Sequence, residues 1–149
     1  MLKSSTLKLL RFPFSLFLSP VYFFALSQIP DIKVSSAVLI FAILHLLVYP
    51  ASNGYNSYMD RDTGSIGGLK NPPMPDKELL YVVLIMDFAA ILISAFFGFT
   101  LALLILIYIL FSRAYSSKEI RLKKYPIPSF LCIFFCQGAL VYAIVCLSQ

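Results

Sequence analysis

Long apolar runs separated by short polar segments set the reading of this chain. Five runs, at about residues 12–29, 34–51, 79–97, 100–114 and 127–147, hold almost no charge. A bilayer core of ~30 Å needs about 20 apolar helical residues to cross. The pattern therefore predicts an all-α, polytopic transmembrane bundle of about five spans, forming one domain over residues 1–149. Only Gly98 and Phe99 separate the third run from the fourth, which predicts a tight hairpin of antiparallel helices. The fourth run is the shortest, and Ser112, Ala114 and Tyr115 extend it into the interface, where tyrosine is favoured. Two polar segments, 52–78 and 113–126, are left as loops.

Composition agrees with this pattern. Of the 149 residues, 60% are hydrophobic and 13% charged, and the mean hydropathy is +0.87. A water-soluble globule of this size would expose too much apolar surface. The first run follows Lys3, Lys8 and Arg11 and ends in "ALSQ", the outline of a cleavable signal peptide, but Pro13, Pro20 and its length suit a retained span better. With the N-terminus in the cytoplasm, Lys3, Lys8, Arg11, Arg61, Lys70, Lys77, Arg113, Lys118, Arg121, Lys123 and Lys124 fall inside and only Lys33 outside. Cytoplasmic loops collect Lys and Arg, so both polar loops are expected on that side. The same topology accounts for the net charge of +5, leaving no reason to expect a nucleic-acid partner. Cys132, Cys136 and Cys146 form no CxxC pair and read as small packing residues. The chain holds no phosphate-cradling Walker loop, zinc-ligand spacing or nucleophile elbow.

The segment "ASNGYNSYMDRDTGSIGGLKNPP", residues 51–73, carries the candidate chemistry. On a helix, His45, Tyr49, Asn53, Asn56 and Asp60 fall within roughly a quarter-turn of one another, with a kink expected at Pro50. Gly64, Gly67, Gly68 and "NPPMP" then end regular structure and leave loop N–H groups exposed. An amide and a carboxylate one turn apart suit a hard cation that keeps several waters and bridges to phosphate, as magnesium does. Arg61, Lys70, Arg121, Lys123 and Lys124 stand by to hold the remaining phosphate charge. The segment thus reads either as a diphosphate site at the mouth of a helix bundle or as an ordinary loop with a capped helix end.

"NSYMDRDTG" resembles the first Asp-rich motif of the UbiA-type intramembrane prenyltransferases, in which NxxxD, here Asn56 and Asp60, is followed by a further acid. "YSSKEIRLKKYP" resembles that family's second cytoplasmic loop, where Tyr-Ser at the end of the fourth span leads into a basic run and a proline. The resemblance covers essentially the whole chain but about the first half of the family's usual nine-helix length. It implies an enzyme that moves a prenyl group from a polyprenyl diphosphate onto an aromatic or other acceptor within the membrane lipid. Carried over, Asn56, Asp60 and Asp62 are the implied Mg2+ ligands. Asn53, Asn56, Arg61, Lys70, Lys118 and Arg121 are the implied diphosphate partners. Tyr115, bordering the reacting carbon, and Asp60 are the implied catalytic groups.

The chain departs from that pattern in two places. Gly64 stands where the fuller motif has its third acid, and no acid follows Glu119, so the second Asp-rich motif is missing. The expectations are therefore an N-terminal portion of a longer frame, a truncated homologue that binds without turnover or serves as an assembly partner, or a half-unit completed by a second chain. A small multi-span transporter is the remaining reading, and it would lean on Asp87 and His45. In mid-span an unpaired Asp87 costs at least ~2.5 kcal/mol, so it is expected to face the bundle interior. His45 is expected to bond a neighbouring span, and Gln137 and Gly138 to serve helix packing.

Overall fold

The computed structural model describes residues 2–149. Five helices are long and apolar enough to cross a membrane: α1 (Ser4–Ser27), α2 (Val34–Asp60), α3 (Lys77–Phe97), α4 (Phe99–Ser116) and α5 (Pro126–Leu147). Among the described residues there is no strand beyond an isolated bridge between Ile66 and Leu69. The all-helical, five-span class read from the apolar runs is the one observed.

Helix α1 starts at Ser4 and is broken at Arg11, which takes the left-handed conformation (φ 49°). Pro13 restarts it in the first turn, where a missing N–H costs nothing. The turn joining α3 to α4 shrinks to Gly98 alone, at φ +149°, with Phe99 already in α4. Glycine populates positive φ without a Cβ clash.

Helix α2 is irregular next to Pro50: residues Ile43–Val48 form a π-helical stretch just before it, and the helix runs on to Asp60. Proline clashes with the carbonyl four residues back and donates no bond there. The wider i→i+5 turn relieves that conflict and rotates whatever precedes it relative to an α-helix. His45 packs edge-on against Tyr49, and both are about 1% exposed in the bundle core; Asn53 and Asn56, on the α-helical turns that follow, line the cavity.

At one end the starts of α1 and α3 are tied together. The Glu78 carboxylate accepts from the Lys3 backbone N–H and the Thr6 hydroxyl, both at 2.8 Å. Asp76 caps α3 by accepting from the Leu79 N–H at 3.4 Å and pairs with the Lys3 ammonium, which holds its carboxyl below the usual carboxylate range. Because the folded-state pKa is depressed, the tether is present above Asp76's ordinary pKa and lost as pH falls through the lowered one.

Two apolar clusters hold the helices. The larger unites Tyr22, Leu44, Tyr49, Ile105, Tyr108 and Ile144 from α1, α2, α4 and α5. The smaller joins Leu9 and Leu10 of α1 to Ala51 of α2 and Leu79, Val83 and Met86 of α3. Gly54 allows that second contact: a Cβ there would lie 2.8 Å from Val83 Cγ2 and 3.0 Å from Leu10 Cδ2. Gly54→Val is expected to cost about 1–3 kcal/mol by overpacking, read as a lowered melting temperature in detergent. Phe96 and Phe99, about 80% exposed, belong to the outward, lipid-facing surface.

Helices α1 and α5 pack where Ser19–Ser27 meets Val141–Leu147. Toward the opposite end a cavity of about 620 Å³ lies between them, floored by α2 and α4.

Candidate functional site

The last two turns of α2 and the loop after α4 build one polar cluster at the rim of that cavity. Asn56 sits one turn before Asp60, so their side chains share a face. Asn56 Oδ1 accepts from Ser116 Oγ of α4 at 2.7 Å and from Lys123 Nζ at 2.9 Å. Asp60 Oδ2 pairs with the same Lys123 ammonium, and Asp60 Oδ1 accepts from Arg121 Nη2 at 3.3 Å. The amide and the carboxylate thus converge on a single cationic nitrogen.

The loop geometry explains why Lys123 reaches. After α4 ends at Ser116, Arg121 adopts the left-handed conformation (φ 47°) and opens the 3₁₀ turn Leu122–Lys124, which turns Lys123 toward α2. Lys118, Arg121, Lys123 and Lys124 together border an open basin of about 570 Å³ on the solvent side. Arg61, also left-handed (φ 52°), ends α2 directly after Asp60, so the chain turns away there.

Below the rim the cavity wall changes character. Asn53, Asn56, Ser112 and Ser116 line the mouth, and Phe17, Leu18, Val21 and Ile133 line the apolar body. Tyr115 borders the same space, with its hydroxyl accepting from Ser129 Oγ at 3.4 Å. Arg11 closes one side: Nη2 donates to Asn53 Oδ1 at 3.2 Å and Nη1 to the Gly67 carbonyl at 3.4 Å. The glycine-rich loop folds over Phe14 at Gly67 and turns on Gly68 (φ +85°), which packs it against α1.

Of the residues picked out from sequence, Asn53, Asn56, Asp60, Arg121 and Tyr115 are gathered around the mouth. Lys118 stands at the basin's edge. Asp62 lies past the end of α2, near enough to Arg11 to act on its charge, and makes no hydrogen bond or ion pair among the described residues. Arg61 faces the Tyr58 ring at 6.0 Å, and Lys70 is exposed on the loop. Three residues at the mouth were not singled out as site residues. Arg11 had only its place among the basic residues before the first run, Ser112 its place at the end of the fourth run, and Ser116 its place in the Tyr-Ser pair.

His45 differs from expectation. Its Nδ1 bonds the Phe41 carbonyl of its own helix at 3.1 Å, and the ring stacks on Phe41 at 4.0 Å instead of bonding a neighbouring span. Asp87 does face inward, paired with Arg113 of α4, whose guanidinium lies 4.2 Å from the centre of the Tyr55 ring.

The sequence model described as the UbiA prenyltransferase family matches residues 13–149. The chain belongs to the UbiA prenyltransferase family. Among curated proteins and among solved structures, none matches it. Family membership, with five helices apolar enough to span a bilayer, makes this an integral-membrane protein of prenyltransferase type. In this UbiA family member the segment that resembles the first Asp-rich motif forms the end of α2, and the Tyr-Ser/basic segment forms the end of α4 and the loop facing it.

Among the described residues no group of three or more His, Cys, Asp or Glu side chains gathers to hold a metal. The oxygens that converge on Lys123 are one carboxylate and one amide, Asn53 being held by Arg11. A magnesium ion that carries diphosphate oxygens and waters needs only one or two protein carboxylates. The convergence of Asn56 and Asp60 on one cationic nitrogen therefore fits such an ion.

Proposed function

We propose that this chain binds a polyprenyl diphosphate through magnesium at Asn56 and Asp60 and passes the prenyl group to an aromatic or other lipid-pathway acceptor. The observation that carries the reading is the meeting of these two oxygens on one cation at the rim of an elongated, largely apolar hollow.

Asn56 and Asp60 would hold the ion. When bound, magnesium supplies positive charge that stabilises the diphosphate as it leaves. Lys123 and Arg121, which pair with Asp60, would also hold phosphate oxygens of the bound diphosphate. Lys118 lies along the approach. Arg11 fixes the Asn53 carbonyl oxygen, and the Asn53 Nδ2 is buried without a partner among the described residues. The Tyr115 ring borders the space below, where an electron-rich face can lie against a developing allylic cation. Asp62, Arg61 and Lys70 would contribute through the loop's charge. The five helices would act as one domain with this polar end in the cytoplasm, a reading supported by the excess of Lys and Arg on that end.

The test is equilibrium binding of labelled polyprenyl diphosphate to the purified protein in nanodiscs. Binding is expected to require magnesium and to be lost with the corresponding prenyl alcohol. Equal binding in chelator, or equal binding of the alcohol, would contradict the reading. A second reading, binding without turnover, is favoured by the single carboxylate at the mouth. Incubation with labelled prenyl diphosphate and a panel of acceptors separates the two, since product made by this chain alone excludes it.

A further inference from the structure

The cavity does not stay apolar to its end. Tyr108 of α4 and Gln137 of α5 both line it, and Gln137 Nε2 donates to the Tyr108 hydroxyl at 3.2 Å. Tyr108, Ser112 and Ser116 follow one another at single-turn spacing on α4, so Tyr108 lies roughly 12 Å deeper than Ser116, at 1.5 Å per residue. The pair is thus well below the charged mouth, in the membrane-spanning part of the bundle.

A π-helical stretch, Phe134–Leu140, carries Gln137. Gln137 shares the cavity wall with Cys132 and Cys136. Such stretches break the regular bond pattern and recur at functional sites. Their cost goes unrecovered if the residue they present merely faces lipid.

The bond between the two side chains spends little of their capacity. Tyr108 keeps its own hydroxyl proton, and Gln137 keeps its carbonyl oxygen and its second amide hydrogen. Among the described residues none of these has another partner. Groups of this kind in an apolar wall ask for a hydrogen-bonding partner. No charged side chain lines the cavity at this depth; Arg11 lies at the mouth. The missing partner is therefore neutral.

We infer that Tyr108 and Gln137 form a subsite for the hydroxyl or carbonyl oxygen of a neutral, lipid-soluble molecule, whose apolar body lies against Leu18, Val21 and Ile133. Calling that molecule the prenyl acceptor rests on the proposed transfer function, whereas its binding does not.

The cavity-wall thiols supply the readout. In nanodiscs, N-ethylmaleimide modification of Cys132 and Cys136 is followed by mass spectrometry, with Cys146, which does not line the cavity, as internal reference. The probes are 4-pentylphenol and pentylbenzene, alike except for the hydroxyl. The phenol is expected to protect Cys132 and Cys136 at about tenfold lower concentration than pentylbenzene, and both Tyr108→Phe and Gln137→Leu should erase that preference. Equal protection by the two probes, or a preference that survives in both variants, would overturn the inference; titration calorimetry of the two probes reads the same difference if the buried thiols are slow to react. Tyr108→Phe retains the packed ring, so its magnesium-dependent polyprenyl diphosphate binding should match wild type. Loss of the phenol preference with that binding intact in the unaltered protein would remove the subsite alone; absence of both would remove the reading of the whole cavity.

Discussion

Arg113→Ala is expected to destabilise the bundle by about 3–5 kcal/mol, the usual cost of removing one partner from a buried ion pair. Asp87 and Arg113 have side chains only 10% and 17% exposed, and they join α3 to α4 in the region flanked by α2 through Tyr55. Truncating the arginine leaves a carboxylate in the membrane interior with no cation, and Asp87 Oδ1 already lacks a partner. The damage should spread to the mouth. One residue before Arg113, Ser112 bonds Ser52 of α2 at 2.9 Å, and one turn later Ser116 bonds Asn56. The double variant Asp87→Leu/Arg113→Met should recover most of the loss, because paired apolar replacement removes both desolvation penalties. Denaturant unfolding in mixed micelles checks both, and a double variant no better than Arg113→Ala would show that the pair holds the helices by more than mutual neutralisation.

Asp60→Ala is expected to weaken magnesium-dependent polyprenyl diphosphate binding by at least about 100-fold, the upper end of what loss of a metal site's outer partners costs. The residual binding should no longer depend on magnesium. Asp60 is the carboxylate that occupies Lys123 and Arg121 in the free protein, and its removal frees both cations for the phosphates. Asn56→Ala should be milder, since it removes a neutral oxygen and leaves Ser116 and Lys123 to regroup. Titration with and without chelator measures all three proteins. A wild-type affinity in Asp60→Ala would remove Asp60 from the site.

Much of the architecture was written in the apolar runs, because a bilayer accepts only helices of a set length whose backbone bonds are internal. Gly98 marked the α3–α4 turn, and Asp87 announced a buried partner by its cost. The candidate cluster was legible at Asn56 and Asp60, whose one-turn spacing on a helix puts them on one face. What pattern could not give was the exact helix phase, since nothing local marks Ile43–Val48 or Phe134–Leu140 as π-helical. Long-range partners were equally hidden. Lys123 reaches Asp60 because Arg121 takes a left-handed turn, and Arg11 reaches Asn53 because α1 breaks beside Pro13. Both depend on backbone dihedrals that side-chain chemistry does not fix.

The most direct measurement replaces magnesium by manganese(II) and reads the phosphorus hyperfine coupling by pulsed electron–nuclear double resonance, with polyprenyl diphosphate bound to the protein in nanodiscs. A strong phosphorus coupling in the wild type, absent from Asp60→Ala, is the predicted result. Diphosphate that binds without any coupling to manganese, or a coupling unchanged in Asp60→Ala, would contradict an ion held between this carboxylate and the substrate.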